Sequence, residues 1–175
     1  FEDPAVFHAK GFVDPLRDID EINLELSISD LSLIETRLDS IAQDQKKKFD
    51  QERADEAALL EHLQPYLESG KSLREYQWHD GGEKKVRSLQ FLTMKGLVVA
   101  LNGSEPNPAL LAATKAKVTG PRAEVCELSA KTEAEVAQIE DPEERAEFLT
   151  ALGIAEPALH VLTRQLYKAL GYISF

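Results

Sequence analysis

Two short segments carry side chains able to grip a flat, hydrogen-bonding ligand: Asn102-Gly-Ser-Glu105 and Ser129-Ala-Lys131. A carboxamide sets a donor beside an acceptor, as the edge of a purine or pyrimidine does, and a carboxylate accepts from neighbouring N–H donors. A Ser-Ala turn presents backbone amides to a ring. Neither segment is specific alone. Each, however, directly follows an apolar β-prone run, Gly96-Leu-Val-Val-Ala-Leu101 and Ala123-Glu-Val-Cys-Glu-Leu128. In open α/β sheets ligands bind beyond the carboxyl ends of the strands, so the two segments fall where chemistry is expected.

Other residue types point away from chemistry. His8, His62, His79 and His160 have no nucleophile and orienting carboxylate in a recognisable order and no zinc-ligand spacing, so they read as surface or packing histidines. Gly70-Lys71-Ser72 imitates the end of a phosphate-binding loop, but Pro65 stands where its first Gly belongs and the preceding residues read as helix. It is treated as a decoy. Lys46, Lys47 and Lys48 form one basic cluster and Lys84, Lys85 and Arg87 another; each is the solvated end of a helix or a contact for a partner.

The 175 residues suffice to bury a core, and 43% hydrophobic with 29% charged residues is a globular composition. A net charge of −11 argues against indiscriminate nucleic-acid binding but leaves room for a local basic patch, and no sequence-specific DNA partner is expected. No apolar run reaches the roughly 20 residues that span a bilayer. The single cysteine, Cys126, has no internal partner, which fits a reducing compartment, and the cytoplasm is the expected location. The chain opens at Phe1 without a signal-like segment, and excision from a longer protein is the preferred explanation.

The elements that must position the two segments follow from periodicity. From Ile19 to Ile41 apolar residues recur at threes and fours, including Ile22, Leu24, Ile28 and Ile34, which predicts a long amphipathic helix starting near Pro15. A polar break from Gln43 to Asp50 precedes a second stripe through Ala54, Leu60, Leu63 and Leu67, predicting an antiparallel helical hairpin with a Lys-rich tip. Ser69 to Gly82 reads as a connector, and Glu83 to Met94 as a helix. The two β-prone runs with a Pro-started helix between them make a βαβ unit. Three more helices are expected: Glu133 to Ile139, Pro142 to Leu152 after an Asp141 cap, and Pro157 to Leu170, with Gly153 and Gly171 as stops.

On consecutive strands of one βαβ unit, Asn102-Gly-Ser-Glu105 and Ser129-Ala-Lys131 together resemble the fourth and fifth motifs of P-loop GTPases, which enclose the base. Gly103 stands where those proteins have Lys, and Glu105 where they have Asp. The Asn-x-x-Glu form is similar to that of the YchF/Obg-like ATPase family, which prefers ATP. Phe1-Glu-Asp-Pro4, Val13-Asp-Pro15, Asp18-Ile-Asp-Glu-Ile-Asn23, Leu89-Gln-Phe-Leu-Thr93, Glu143-Glu-Arg-Ala-Glu-Phe-Leu149 and Glu156-Pro-Ala-Leu159 resemble the same family.

The resemblance implies an α/β fold: the C-terminal half of a P-loop (Ras-like) G domain with a helical-hairpin or coiled-coil insertion. Residues 1–16 would be a G-domain segment, 17–82 the insertion and 83–175 the second half of the G domain. It also implies an internal piece that lacks the phosphate-binding loop and the C-terminal TGS domain, inactive by itself. In the intact protein, Asn102, Gly103, Glu105, Ser129, Ala130 and Lys131 would contact the base of ATP, or more weakly GTP, with magnesium held by residues elsewhere. The implied partner is the ribosome or its RNA, with Lys46, Lys47 and Lys48 as candidate contacts. A second reading is a non-enzymatic helical adaptor fused to a small α/β unit, in which Asn102 and Glu105 cap the following helix and Ser129 the next.

Overall fold

The computed structural model describes residue 7, residues 10–152, residue 154 and residues 156–172. His8, the Phe1-Glu-Asp-Pro4 segment and Gly153 lie outside them. The chain divides into two compact units, Arg17–Lys95 and Phe1–Leu16 with Gly96–Phe175.

The helical unit is built on α1 (Pro15–Gln45) and α2 (Gln51–Glu68). Proline is tolerated in the first turn of α1, where its missing N–H has no intrahelical acceptor. Asp50 starts α2 by accepting from the Glu52 amide at 2.9 Å. The helices run in opposite directions, as the Arg37–Glu56 fork (2.7 and 2.8 Å) and the Asp44–Arg53 pair nearer the turn require. Ile34, Ile41, Leu60, Leu63, Leu67, Leu73, Val86 and Phe91 form one buried cluster.

The expected stripe on α1 is only partly the buried one. Ile22, Leu24 and Ile28 are exposed, whereas Ser27 and Asp30 are buried. Asp30, 1% exposed, accepts from the Leu92 amide (2.8 Å), the Thr93 amide (2.8 Å) and the Thr93 hydroxyl (2.7 Å).

The expected helix from Glu83 to Met94 is likewise shorter: α3 (Gly82–Val86) passes into a 3₁₀ turn, Arg87–Leu89. Gln90, at φ 55°, then leaves the helix through the left-handed region. With the Leu92 and Thr93 amides committed to Asp30, continuing the helix would require those donors to turn to other acceptors. The helical unit accordingly ends at Lys95 rather than at Gly82, because Val86 and Phe91 complete its core.

In the second unit β1 (Leu97–Asn102) and β2 (Ala123–Leu128) form a parallel pair joined by α4 (Pro108–Lys117). The register runs from Leu97 opposite Ala123 to Asn102 opposite Leu128. Three helices follow: α5 (Ala130–Val136), α6 (Pro142–Ala151) and α7 (Ala158–Leu170).

Three starting caps fix their beginnings. Ser129 Oγ accepts from the Thr132 amide, so α5 begins at Ala130, ahead of the expected Glu133. Asp141 accepts from the Glu143 amide at 2.8 Å. Pro157 has no side chain to cap α7, and Glu133 reaches across to accept from the Ala158 amide instead. Gly171, at φ 72°, closes α7 in the left-handed conformation.

α7 packs on both strands. A Cβ on Gly96 would come within 2.6 Å of the Ala169 carbonyl oxygen, so this approach depends on glycine at the foot of β1. No helix among the described residues is long and apolar enough to cross a membrane.

Candidate functional site

The parallel register delivers both predicted loops at one level. Because Asn102 pairs with Leu128, the chain leaves β1 and β2 side by side, and the first residues out are Gly103 and Ser129. Two hydrogen bonds then tie the loops together. The Gly103 amide donates to the Leu128 carbonyl at 3.0 Å, and the Ala130 amide donates to Asn102 Oδ1 at 2.9 Å.

The second bond changes the reading of Asn102. Its side-chain oxygen already holds the opposite loop, so Nδ2 and the remaining lone pair of Oδ1 are what it can offer a ligand.

A third bond, from the Asn107 amide to Glu127 Oε1 at 2.6 Å, pins the far end of the first loop to β2. Asn107 in turn caps α4 by accepting from the Leu110 amide at 3.0 Å. The adaptor reading is thus half met: Ser129 caps α5, while α4 is capped by Asn107 and not by Asn102 or Glu105.

Beside the loops lies a pocket of about 310 Å3. Gly103, Glu105 and Ser129 line it; Leu152, Ile154 and Val161 supply apolar wall. Asn102, Ala130 and Lys131 are not among its lining residues, and Ala130 and Lys131 are exposed.

Four carboxylates border the pocket, and three are committed. Glu127 and Glu133 hold backbone amides, and Glu156 forms a fork with Arg164 at 2.7 and 2.9 Å. Hydrogen bonding from Arg164 keeps the Glu156 carboxyl below the usual carboxylate range, and Arg164 is raised by the same pair. Glu105 is exposed and without a protein partner among the described residues, so its carboxylate is available to a ligand.

Sequence reading missed Glu127, Glu133, Leu152, Ile154 and Val161. Glu127 stands two residues before Ser129 on a strand, an available signal; the apolar wall comes from segments that only tertiary packing brings near.

Elsewhere, Gly70-Lys71-Ser72 follows the end of α2, with Lys71 Nζ 5.5 Å from the centre of the Tyr66 ring, and forms no strand-to-helix loop. His79 and His160 are exposed, and His62 lies edge-on to Tyr76. Lys46, Lys47 and Lys48 are exposed in the turn between α1 and α2. No group of three His, Cys, Asp or Glu among the described residues is arranged to hold a metal ion.

No protein-family model matches the chain. Individual relatives do. The ribosome-binding ATPase YchF of Bacillus subtilis (strain 168) is 34% identical over 181 residues, covering 100% of this chain and 49% of the relative. That of Escherichia coli O157:H7 is 36% identical, covering 97% and 47%. Obg-like ATPase 1 of Oryza sativa subsp. indica is 32% identical over 105 residues, covering 60% and 27%.

The solved structure of the Schizosaccharomyces pombe YchF GTPase superposes with a TM-score of 0.78 at 25% identity, over 97% of this chain and 47% of that one. The chain spans about half the length of the YchF relatives it matches. Alike along its length in sequence and in fold, the chain belongs to the YchF/Obg-like ATPase family.

Proposed function

We propose that the two loops hold the base of a nucleotide, ATP in preference to GTP, as part of a longer nucleotide-hydrolysing protein, and that the helical unit is an insertion facing the ribosome. The observation that carries the nucleotide reading is the Asn102–Ala130 hydrogen bond, which locks the loops together next to a pocket bearing a free carboxylate. The residues suit a purine. Leu152, Ile154 and Val161 give a ring an apolar wall, and the loops give its edge donors and acceptors.

Guanine selectivity needs a carboxylate meeting two adjacent N–H donors, and Glu105 carries its carboxylate one methylene further than Asp would. Adenine has no such donor pair. The amide Nδ2 of Asn102 and the spare lone pair of Oδ1 suit its ring nitrogen and exocyclic amine. Ser129, Ala130 and Gly103 supply backbone around the ring, and Lys131 reaches from the exposed start of α5.

ATP with magnesium would bring the phosphoryl group and the charge that activates it. These residues orient the base and take no part in bond breaking. Phosphate and magnesium contacts belong to a Gly-x-x-x-x-Gly-Lys-Ser/Thr loop and its neighbours, a sequence that the 175 residues do not contain. The chain by itself should therefore show no magnesium-dependent turnover.

The relatives named ribosome-binding ATPases support the partner assignment; the exposed Lys46, Lys47 and Lys48 are the contacts in this reading, and the cytoplasm its location. The base reading is tested by competing ATP against GTP on the intact protein and on its Gly103→Lys/Glu105→Asp variant, at fixed salt and magnesium. The variant should move toward GTP by about 1–3 kcal/mol per restored polar pair. Unchanged preference, or GTP preference in the unaltered protein, would refute it.

A further inference from the structure

Phe49 is 68% exposed, and it follows directly on Lys46, Lys47 and Lys48 in the five-residue turn between α1 and α2. The aromatic ring stands in water at the end of the hairpin, and nothing in the turn shelters it. The turn itself is well ordered by polar contacts. Gln45 Nε2 donates to the Asp50 carbonyl at 2.6 Å, and Gln45 Oε1 accepts from the Asp50 amide at 3.0 Å, which clamps the two ends together. Asp50 caps α2, and Asp44 is paired with Arg53 and Lys47. Asp44 and Asp50 are thus committed, Glu52 stays exposed in the first turn of α2, and the Lys46 and Lys48 side chains have no partner among the described residues.

We propose that this turn binds unpaired RNA, with Lys46 and Lys48 on phosphates and the Phe49 ring stacked on a base. The charge distribution favours RNA over an apolar protein pocket. On a chain of net charge −11, a turn with free cations flanking an aromatic ring complements a phosphate backbone with exposed bases. A duplex offers phosphates but no free ring face, so the aromatic ring selects single-stranded or looped RNA. The proposal rests on the reading of the helical unit as the ribosome-facing part, and it adds the type of RNA contacted and the residue that selects it.

The test uses the full chain with a labelled oligouridylate and, separately, a blunt RNA duplex, followed by fluorescence anisotropy across a salt series. The oligouridylate should bind more tightly than the duplex. Phe49→Ala should weaken it about tenfold with the salt dependence unchanged, as loss of one stacked base does. Phe49→Trp should retain affinity, whereas Phe49→Leu, which keeps apolar bulk without a ring face, should not. Removing Lys46 and Lys48 together should flatten the logarithmic salt slope by about 1.4, at roughly 0.7 per single-strand phosphate. Because Phe49 lies outside both helices, circular dichroism of each variant should match the parent chain.

Equal binding of duplex and single strand, full affinity in Phe49→Leu, or no binding at low salt would overturn the proposal; full affinity in Phe49→Leu would indicate a protein pocket as the natural occupant. Cosedimentation with ribosomes separates the two readings. Ribosome binding that ignores the Phe49 and lysine changes refutes the tip while leaving the partner assignment standing. Oligouridylate binding without ribosome association refutes the partner assignment alone.

Discussion

Replacing Asp30 by alanine should destabilise the helical unit more than any other single polar change in it. The carboxylate is 1% exposed and accepts three hydrogen bonds at 2.7–2.8 Å from Leu92 and Thr93, 62 and 63 residues away. Hydrogen bonds to a charged group are worth about 1.5–3 kcal/mol each, but three on one carboxylate do not add, and the cost of burying that charge offsets part of the gain. What alanine leaves behind decides the sign. The Thr93 amide and hydroxyl remain buried without an acceptor, and each unsatisfied buried donor costs about 1–3 kcal/mol.

Asp30→Asn keeps the size and one acceptor but turns an NH2 group toward existing donors, so about 2 kcal/mol is expected. Thr93→Val removes only the hydroxyl bond and should cost about 1 kcal/mol. Trp78 is the single tryptophan and lies in the helical unit, so its fluorescence in a urea titration reports that unit separately. With a slope of about 1 kcal/mol per molar urea for a unit of this size, Asp30→Ala should lower the midpoint by several molar or abolish the folded baseline. If Asp30→Ala costs under about 1 kcal/mol, or no more than Thr93→Val, the assigned network is not what holds the 91–94 segment to α1.

Two further outcomes follow from burial and exposure. Cys126 is 4% exposed and burial pushes its thiol above the ordinary range, so alkylation of the folded chain at mildly alkaline pH should be far slower than in urea. Because the unfolded thiol ionises first, stability should fall as pH rises above about 8.5, and Cys126→Ala should remove that part of the slope; equal alkylation rates would refute the burial. Trypsin should make its first cut within residues 17–95 at Lys46, Lys47 or Lys48, which lie outside the helices, and mass spectrometry showing first cleavage at Arg37 or Arg53 would contradict the exposed turn.

The strands and most helix ends were legible because they depend on local chemistry. A continuous apolar run can be read as a parallel strand, Asp141 before Pro142 as a helix start, and Gly171 as a left-handed stop. The buried face of α1 was not legible in full. Periodicity counts apolar residues, and here Ser27 and Asp30 turn inward while Ile22, Leu24 and Ile28 turn out. Asp30 turns inward because donors from the 91–94 segment meet it, and no window of local sequence contains both. The same long-range bond explains why the expected helix to Met94 stops early. Of the candidate site, the two loops could be read from residue types at strand ends, whereas the apolar wall at Leu152, Ile154 and Val161 arises only when α6 and α7 are in place.

The register of two strands makes the candidate site a unit. Asn102 can reach the Ala130 amide only because Asn102 and Leu128 lie opposite each other. A slip of one residue would turn the Asn102 side chain to the other face of the sheet. The carboxylates divide the work that remains: Glu127 holds the end of the first loop, Glu133 holds the start of α7, and Glu156 is neutralised by Arg164. Only the Arg164 pair offsets a negative charge; Glu127 and Glu133 keep theirs but hold it against backbone donors. Glu105 is the pocket carboxylate without a protein partner among the described residues, and the proposed base reading therefore places the ATP–GTP comparison at that residue and not at its acidic neighbours.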